Sequence, residues 1–508
     1  MDINKNCVHM NRTTGELTQL ITLDEDFNIG DSKKEIISRI KENGYTVIEK
    51  CVQRDGKTVV AGQLVFALLY ATEGGYDSYN GKISFEENYV FYEAGDGDVL
   101  RCKAGIVDLS INIINNKKIN VKAVVEIVIS SSCIVHEDVI SGMEMENLQT
   151  RMDTITVMQL VAAKRDILRV RESYNIPADN PNISRVVWYE LDTMGIDAKT
   201  LDGAVSVKGN LAIAGMYETD NGEVFCLEKM VPFSGVIDLP ECIEKLPMDI
   251  IISTNDKSLI VRQDGNGEQR IVDAEVILGL DIKVYDEKMF DIMKDAYSPN
   301  YELNMYMGNL EYDRFVMKSS LNCRLEKAYD VPWPNINSVL NCSGRMHIDE
   351  IRRTDTGIAI EGDVTADVLF LGSDNNVSFA RYEMPFDENL EIAEMQDNFD
   401  ISVKQGSLNI SANILGNGNV SIKSNAEIIV FVVEKNSTEV ITEVEAIAPD
   451  YDKIKNLPSI VGYITREGDT LWDIAKKYCT TIAQIRESNE ITTDEIEPGT
   501  KLLLTKIC

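Results

Sequence analysis

The stretch YTVIEKCVQRDGKTVVAGQLVFALLY, Tyr45–Tyr70, decides the fold. Apolar residues alternate with polar ones on both sides of Asp55-Gly56. An Asp-Gly pair between alternating runs is a strong hairpin signal, because Gly accepts positive φ without strain. Just past the turn stands Gly62, a glycine in strand context. Such a glycine marks a bulge or a close backbone approach.

The same pattern recurs twice. IDAKTLDGAVSVKGNLAIAGMY, Ile196–Tyr217, places its turn at Asp202-Gly203. MHIDEIRRTDTGIAIEGDVTADVLFL, Met346–Leu371, places it at Thr356-Gly357. The in-strand glycines are Gly62, Gly209 and Gly362, at spacings of 209 − 62 = 147 and 362 − 209 = 153. A second landmark keeps nearly the same step. FNIGDSKKEIISRI from Phe27, YNIPADNPNISRVV from Tyr174 and YDVPWPNINSVL from Tyr329 each open with an aromatic, an Asn or Asp and a β-branched residue. Two landmarks moving together argue for an internal repeat, which sets the architecture.

Each repeat goes on with an aromatic-bearing strand pattern: Ile83–Ala94, Val224–Leu239 and Val377–Ile392. Each closes with further alternating runs: Val107–Ile129, Ile271–Glu287 and Leu408–Val433. Period-2 alternation with β-branched enrichment predicts strands with one buried face. The expectation is a mainly β chain of tandem sandwich-like modules at 1–150, 151–295 and 296–445. A helical turn is expected in the short segment after NIPADNPNIS, residues 175–184, in the second repeat. Ala446–Ser459 reads as a linker, with the boundary set at 446–458.

The tail at 459–508 breaks the pattern. In GDTLWDIAKKY, Gly468–Tyr478, the residues Leu471, Ile474, Ala475 and Tyr478 form a helical apolar stripe behind a capping Thr470. Ile482 and Ile485 suggest a second helix, and Pro498-Gly499 turns into an apolar strand. The expected order is βααβ, with Trp472, Ile474 and Leu502 in its core.

Composition narrows the function. The chain has 508 residues and a net charge of −33, from 50 basic and 83 acidic side chains. Such a chain repels phosphate backbones and anionic lipid, so no nucleic acid partner is expected; the charge first of all keeps a chain soluble, and its other reading is a basic protein surface as partner. No run of 18 apolar residues is present, so no membrane insertion is expected. The start MDINKNCVHM lacks the basic and apolar regions of an export signal. The ten cysteines are scattered, without C-x-x-C or a Cys/His cluster in sequence, so they read as reduced thiols and no metal or other cofactor is expected.

No catalytic residue is expected either. There are three histidines, His9, His136 and His347, none in a nucleophile motif, and no phosphate-binding glycine loop. GDGD at Gly95–Asp98 and RQDGNGEQ at Arg262–Gln269 lack the twelfth-position Glu of a calcium loop and read as turns. Trp333, between two prolines, is either an interface anchor or packed on its own sheet.

The tail resembles a LysM domain. The family pattern is met from Tyr463 to Tyr478 and again at Asn489, Ile491, Ile496, Pro498, Gly499, Thr500 and Leu502. One departure is Cys479, where the family usually carries a helix-capping Gly. The repeats are similar to SPOCS modules, and SPOCS modules followed by one LysM resemble the SipL-type spore coat proteins. That resemblance implies a protein made in the mother cell cytoplasm and deployed at the forespore surface. It implies a non-enzymatic role in coat assembly, with the LysM docking on the basement-layer coat ATPase, the stage IV morphogenetic protein. The alternative it leaves open is a wall protein gripping peptidoglycan, an N-acetylglucosamine polymer. A single LysM copy forgoes the strength that repetition brings to a shallow glycan groove, unless self-association through the β modules supplies it. In either case the groove implied is Gly468, Asp469, Thr470 and Leu471 facing Asn489, Glu490, Ile491 and Ile496.

Overall fold

The computed structural model describes residues 2–54, 56–95, 97–333, 335–374, 376–415, 418–447, 458–493 and 495–505. The first module holds β1 (Asp2–Asn28), β2 (Ser38–Arg54), β3 (Lys57–Thr72), β4 (Gly75–Tyr89), β5 (Val99–Asn115) and β6 (Lys118–Glu144). They form two antiparallel three-stranded sheets, ordered β1-β6-β5 and β2-β3-β4. The sandwich core is the inner alternation of the two central strands: Val60, Leu64, Phe66, Leu68 and Tyr70 against Ile119, Val121, Ala123, Val125, Ile127 and Ile129.

The plan repeats. In the second module, β7 (Gln149–Asn175), β8 (Arg185–Leu201), β9 (Ala204–Glu218), β10 (Val224–Asp238), β11 (Met248–Gln263) and β12 (Gln269–Tyr297) form sheets β7-β12-β11 and β8-β9-β10. In the third, β13 (Glu302–Asp330), β14 (Ile336–Thr354), β15 (Gly357–Gly372), β16 (Val377–Glu391), β17 (Phe399–Leu415) and β18 (Asn419–Ile447) form β13-β18-β17 and β14-β15-β16.

The repeated glycines face a repeated aromatic. Gly62, Gly209 and Gly362 pair across the strand with Phe85, Phe233 and Phe386. A Cβ on the glycines would lie 2.8, 2.8 and 2.7 Å from those rings. The strand on the other side is bulged at Ile48/Lys50, Met194/Asp197 and Ile348/Glu350. A phenyl ring lying over bare backbone is the physical reason for the glycine.

Two local expectations are corrected. The third hairpin turns on Asp355-Thr356, not Thr356-Gly357, because Gly357 already pairs with Thr354 in the ladder. Asp55 of the first turn lies outside the described residues. The segment after Ser184 enters β8 directly and forms no helix; the one turn nearby precedes it, closed by Asn180 N–H on the Pro177 carbonyl. Gly95 and Asp264 open turns, as expected: the Asp98 carboxylate accepts the Gly95 N–H, and Asp264 accepts from Asn266 and Glu268. Trp333 packs on Phe370 of its own module, with ring centres 6.2 Å apart.

The long strands give the molecule its centre. β5 leaves β6 at Ser132, and beyond it β1 and β6 continue alone as a two-stranded ribbon from Arg12↔Cys133 to Asp2↔Glu144. Equivalent ribbons leave the other sandwiches past Val284 and Glu434. The three ribbons bury equivalent residues together. Val139, Ile292 and Val440 share one cluster, at spacings 292 − 139 = 153 and 440 − 292 = 148. Ile140, Met293 and Ile441 share a second with Met143, Ala296 and Val444. The modules thus surround a pseudo-three-fold stalk. Polar groups from all three modules also meet. Lys41 Nζ, fully buried, lies 2.6 Å from Glu190 and donates to Ser343 at 3.0 Å. Arg101 and Lys404 both reach Asp249, at 2.6 and 2.5 Å.

The chain closes with β19 (Ile460–Ile464), α1 (Leu471–Lys477), α2 (Ile482–Asn489) and β20 (Lys501–Thr505), the expected βααβ order. Among the described residues no helix is long and apolar enough to cross a membrane.

Candidate binding groove of the C-terminal domain

β19 and β20 pair antiparallel from Ile460↔Thr505 to Ile464↔Lys501. Leu471, Ile474, Ala475, Ile485, Leu502 and Leu504 fill the small core. This geometry brings the loop before α1 beside the loop before β20. Thr465 joins them: its N–H donates to the Thr500 carbonyl at 3.0 Å, its carbonyl accepts Gly499 N–H at 2.8 Å, and its hydroxyl donates to the Glu497 carbonyl at 2.6 Å. The hydroxyl also accepts the Thr500 N–H at 2.9 Å. Sequence reasoning passed over Thr465, a buried polar residue whose role appears only once both loops are placed.

The eight groove candidates play different parts. Gly468 has φ +88 and an exposed surface, which suits a turn that must leave room above its backbone. Asp469 and Thr470 build the helix start. Asp469 accepts from Arg466 N–H at 2.8 Å and the Tyr463 hydroxyl at 2.7 Å. Those bonds, the backbone one first, hold its carboxyl below the usual carboxylate range. Thr470 caps α1 by accepting Asp473 N–H at 3.1 Å. Leu471 is 1% exposed and belongs to the core, so it offers a ligand no surface.

Asn489 is likewise a clasp. Its amide donates to the carbonyls of Ile485 and Leu503 and accepts Leu503 N–H at 2.6 Å, tying α2 to β20. That leaves Glu490, exposed and left-handed at the end of α2, with Ile491 and Ile496 half-buried beside it, as candidates that still offer side-chain surface. The rim is acidic. Among the described residues 465–470 and 490–500, Glu467, Asp469, Glu490, Glu495 and Glu497 outnumber Arg466.

Of the three expected core residues, Ile474 and Leu502 are buried within the domain. Trp472 instead meets a β module. Its indole N–H donates to Asp295 at 2.7 Å, and its ring stands edge-on to Tyr297 at 4.9 Å. Lys476 adds an ion pair to Asp295 at 2.6 Å. The domain therefore sits on the end of the second ribbon. Cys479 adopts φ +50, the left-handed position where the resemblance led one to expect Gly.

Two other places gather polar side chains. A cavity of about 1020 Å³ lies between the modules, lined by Lys103, Lys257, Lys318, Asp192, Asp363 and Glu427 among others. Burial pushes the Lys103 and Lys318 amines down. On the first ribbon, Cys7, His9 and His136 have ligand atoms within 4.8 Å of one another. The sequence showed no such cluster, because two of its members are 127 residues apart and only strand register joins them.

Comparison with known proteins places this architecture. Residues 463–505 match the LysM domain. Residues 182–257 and 335–415 match the SPOCS domain of SipL, and they cover most of β8–β11 and β14–β17. The chain is thus a protein of SPOCS and LysM domains, both families of binding modules. Within that class its domain content is that of the SipL type. A stretch of 44 residues, 9% of this chain, is also 43% identical to the probable endopeptidase p60 of Listeria seeligeri. The chain spans only 8% of the length of that relative. No solved structure matches.

Proposed function

We propose that this chain is a non-enzymatic adaptor of spore coat assembly, working in the mother cell cytoplasm at the forespore surface. Its three β modules form one rigid body, and its LysM groove docks the basement-layer coat ATPase. The observation that carries this reading is the groove rim. Five carboxylates around two half-buried isoleucines suit a protein with a basic rim and an apolar centre. An uncharged sugar polymer gains no charge attraction from those carboxylates, whereas a basic protein rim does. Trp472, the domain's largest aromatic surface, is engaged by Tyr297 and so is withheld from stacking on a sugar.

The second reading is that the groove holds N-acetylglucosamine polymer, and the LysM match favours it. The two separate in one experiment on the full chain, comparing binding to the purified ATPase with co-sedimentation on peptidoglycan. An Ile491→Lys, Glu490→Lys variant is expected to lose ATPase binding by tenfold or more while its circular dichroism stays unchanged. Retained ATPase binding with lost peptidoglycan binding would transfer the function to the glycan.

A further inference from the structure

The first ribbon carries a feature that the coat-adaptor reading does not use. β1 and β6 pair Cys7 with Asp138 and His9 with His136, two consecutive cross-strand pairs. Side chains two apart on a strand share a face, so all four project from the same side. That side is the outer one: Val8 and Val139 point inward into the stalk, while Cys7, His9, His136 and Asp138 are exposed. The two imidazoles stand edge to face at 4.6 Å, with Nδ1 atoms 2.5 Å apart, and the Cys7 thiol bonds to the Asp138 carboxylate.

We propose that Cys7, His9 and His136, with Asp138 as fourth donor, form a binding site for one divalent cation of the zinc class. The donor set is the argument. One thiolate, two imidazoles and one carboxylate are the ligands of tetrahedral zinc, whereas hard cations such as calcium and magnesium take oxygen ligands. The spacing fits. Bonds of about 2.0–2.1 Å to each imidazole at a tetrahedral angle need nitrogens about 3.3 Å apart. Exposed rings reach that by a rotation that moves each nitrogen less than an ångström.

The fold does not require these residues. At the equivalent pairs, the second ribbon has Thr154↔Asp291 and Thr156↔Met289, and the third has Asn309↔Glu439 and Glu311↔Ser437. Only the carboxylate opposite the first position is common to all three. The stalk is thus built three times from these strand pairs, and a soft ligand set was placed on one. Two of the chain's three histidines fall in that one place. Bound metal would cross-link β1 to β6 within the ribbon that these two strands form alone.

The test uses untagged full-length chain, stripped with chelator and kept reduced, titrated with cobalt(II) and then zinc(II). One cobalt per chain, with a thiolate charge-transfer band and d–d bands of tetrahedral intensity, both abolished by one equivalent of zinc, is expected. Cys7→Ser should remove the charge-transfer band. His136→Ala should weaken binding at least a hundredfold. Both side chains are exposed, so the fold should survive, as unchanged circular dichroism would establish. Asp138→Asn should weaken binding about tenfold; an unchanged affinity would remove Asp138 from the site. Absence of a tetrahedral cobalt signal in the parent chain, or its persistence in the Cys7→Ser, His136→Ala double variant, overturns the proposal.

Discussion

Trp472 and Asp295 are 177 residues apart in the chain and 2.7 Å apart in space. That hydrogen bond, with the Tyr297 ring contact and the Lys476 ion pair beside it, seats the LysM domain on the stalk and fixes which side of it faces outward. The seat uses Trp472 and Lys476, neither of them a groove candidate, so seating and binding are separable by mutation.

Trp472→Ala should loosen the seat by about 2 kcal/mol, from lost aromatic packing and the lost indole N–H bond to Asp295, which keeps its ion pair with Lys476. Hydrogen exchange is expected to speed up at residues 293–297, while amides of the LysM core strands and α2 stay protected. Unchanged exchange at 293–297 would mean the seat does not hold in solution.

The Asp249 carboxylate joins Arg101 of the first module to Lys404 of the third. Burial works against its charge, but Lys404 and Arg101 outweigh it and hold the carboxyl below its usual range. A carboxyl lowered in the folded state adds stability that is present above its unfolded value of about 3.9 and is lost as pH falls through the lower folded value. The urea midpoint should therefore drop below about pH 4. Asp249→Asn should cost about 2 kcal/mol at neutral pH, because buried Arg101 is left with Asp281 alone and half-buried Lys404 loses its counter-charge, and should flatten that acid slope. A variant with the parent's acid slope would place the titration elsewhere.

Gly62, Gly209 and Gly362 each lie under a phenylalanine ring. Valine at any one of them should destabilise its own sandwich by about 1–3 kcal/mol, with Gly362 the worst because its Cβ would also meet the His347 carbonyl at 2.2 Å. Pairing Gly362→Val with Phe386→Ala should recover part of the loss. Thermal unfolding of the single and double variants measures this; a neutral Gly362→Val would refute the packing account.

Cys479 occupies a left-handed position that costs a residue with a Cβ about 1–2 kcal/mol. Cys479→Gly should stabilise the LysM domain by about 1 kcal/mol, read as slower exchange of the α1 and β20 amides. A loss of protection would show that the cysteine side chain contributes more than its backbone strain removes.

The repeat, the hairpins and the βααβ tail were legible because each is written in local pattern. A period of two sets which side of a strand is apolar, and a Gly at a turn or under a ring leaves its mark at one position. The third hairpin slipped by one residue because Thr356 stands where the first two repeats have Gly, so the eye moved to Gly357. In the groove, the loops were found from the sequence, but the parts played by their residues were not. Leu471 and Asn489 look like ligand contacts in a pattern and act as core and clasp once α2 lies against β20.

What the sequence by itself determined is therefore everything carried by alternation, turn chemistry and helical stripe: three β modules of one plan and a small LysM tail. What only the tertiary structure decided is where distant faces meet. Val139, Ile292 and Val440 are, in sequence, three ordinary inward positions of three strands, and only their convergence makes the stalk. Cys7, His9 and His136 become neighbours only through the register of β1 on β6, and Trp472 meets Asp295 only through the seating of the tail on the second ribbon. The reason is physical: local patterns fix which face of an element is apolar, while the partner of that face is chosen by packing among surfaces hundreds of residues apart.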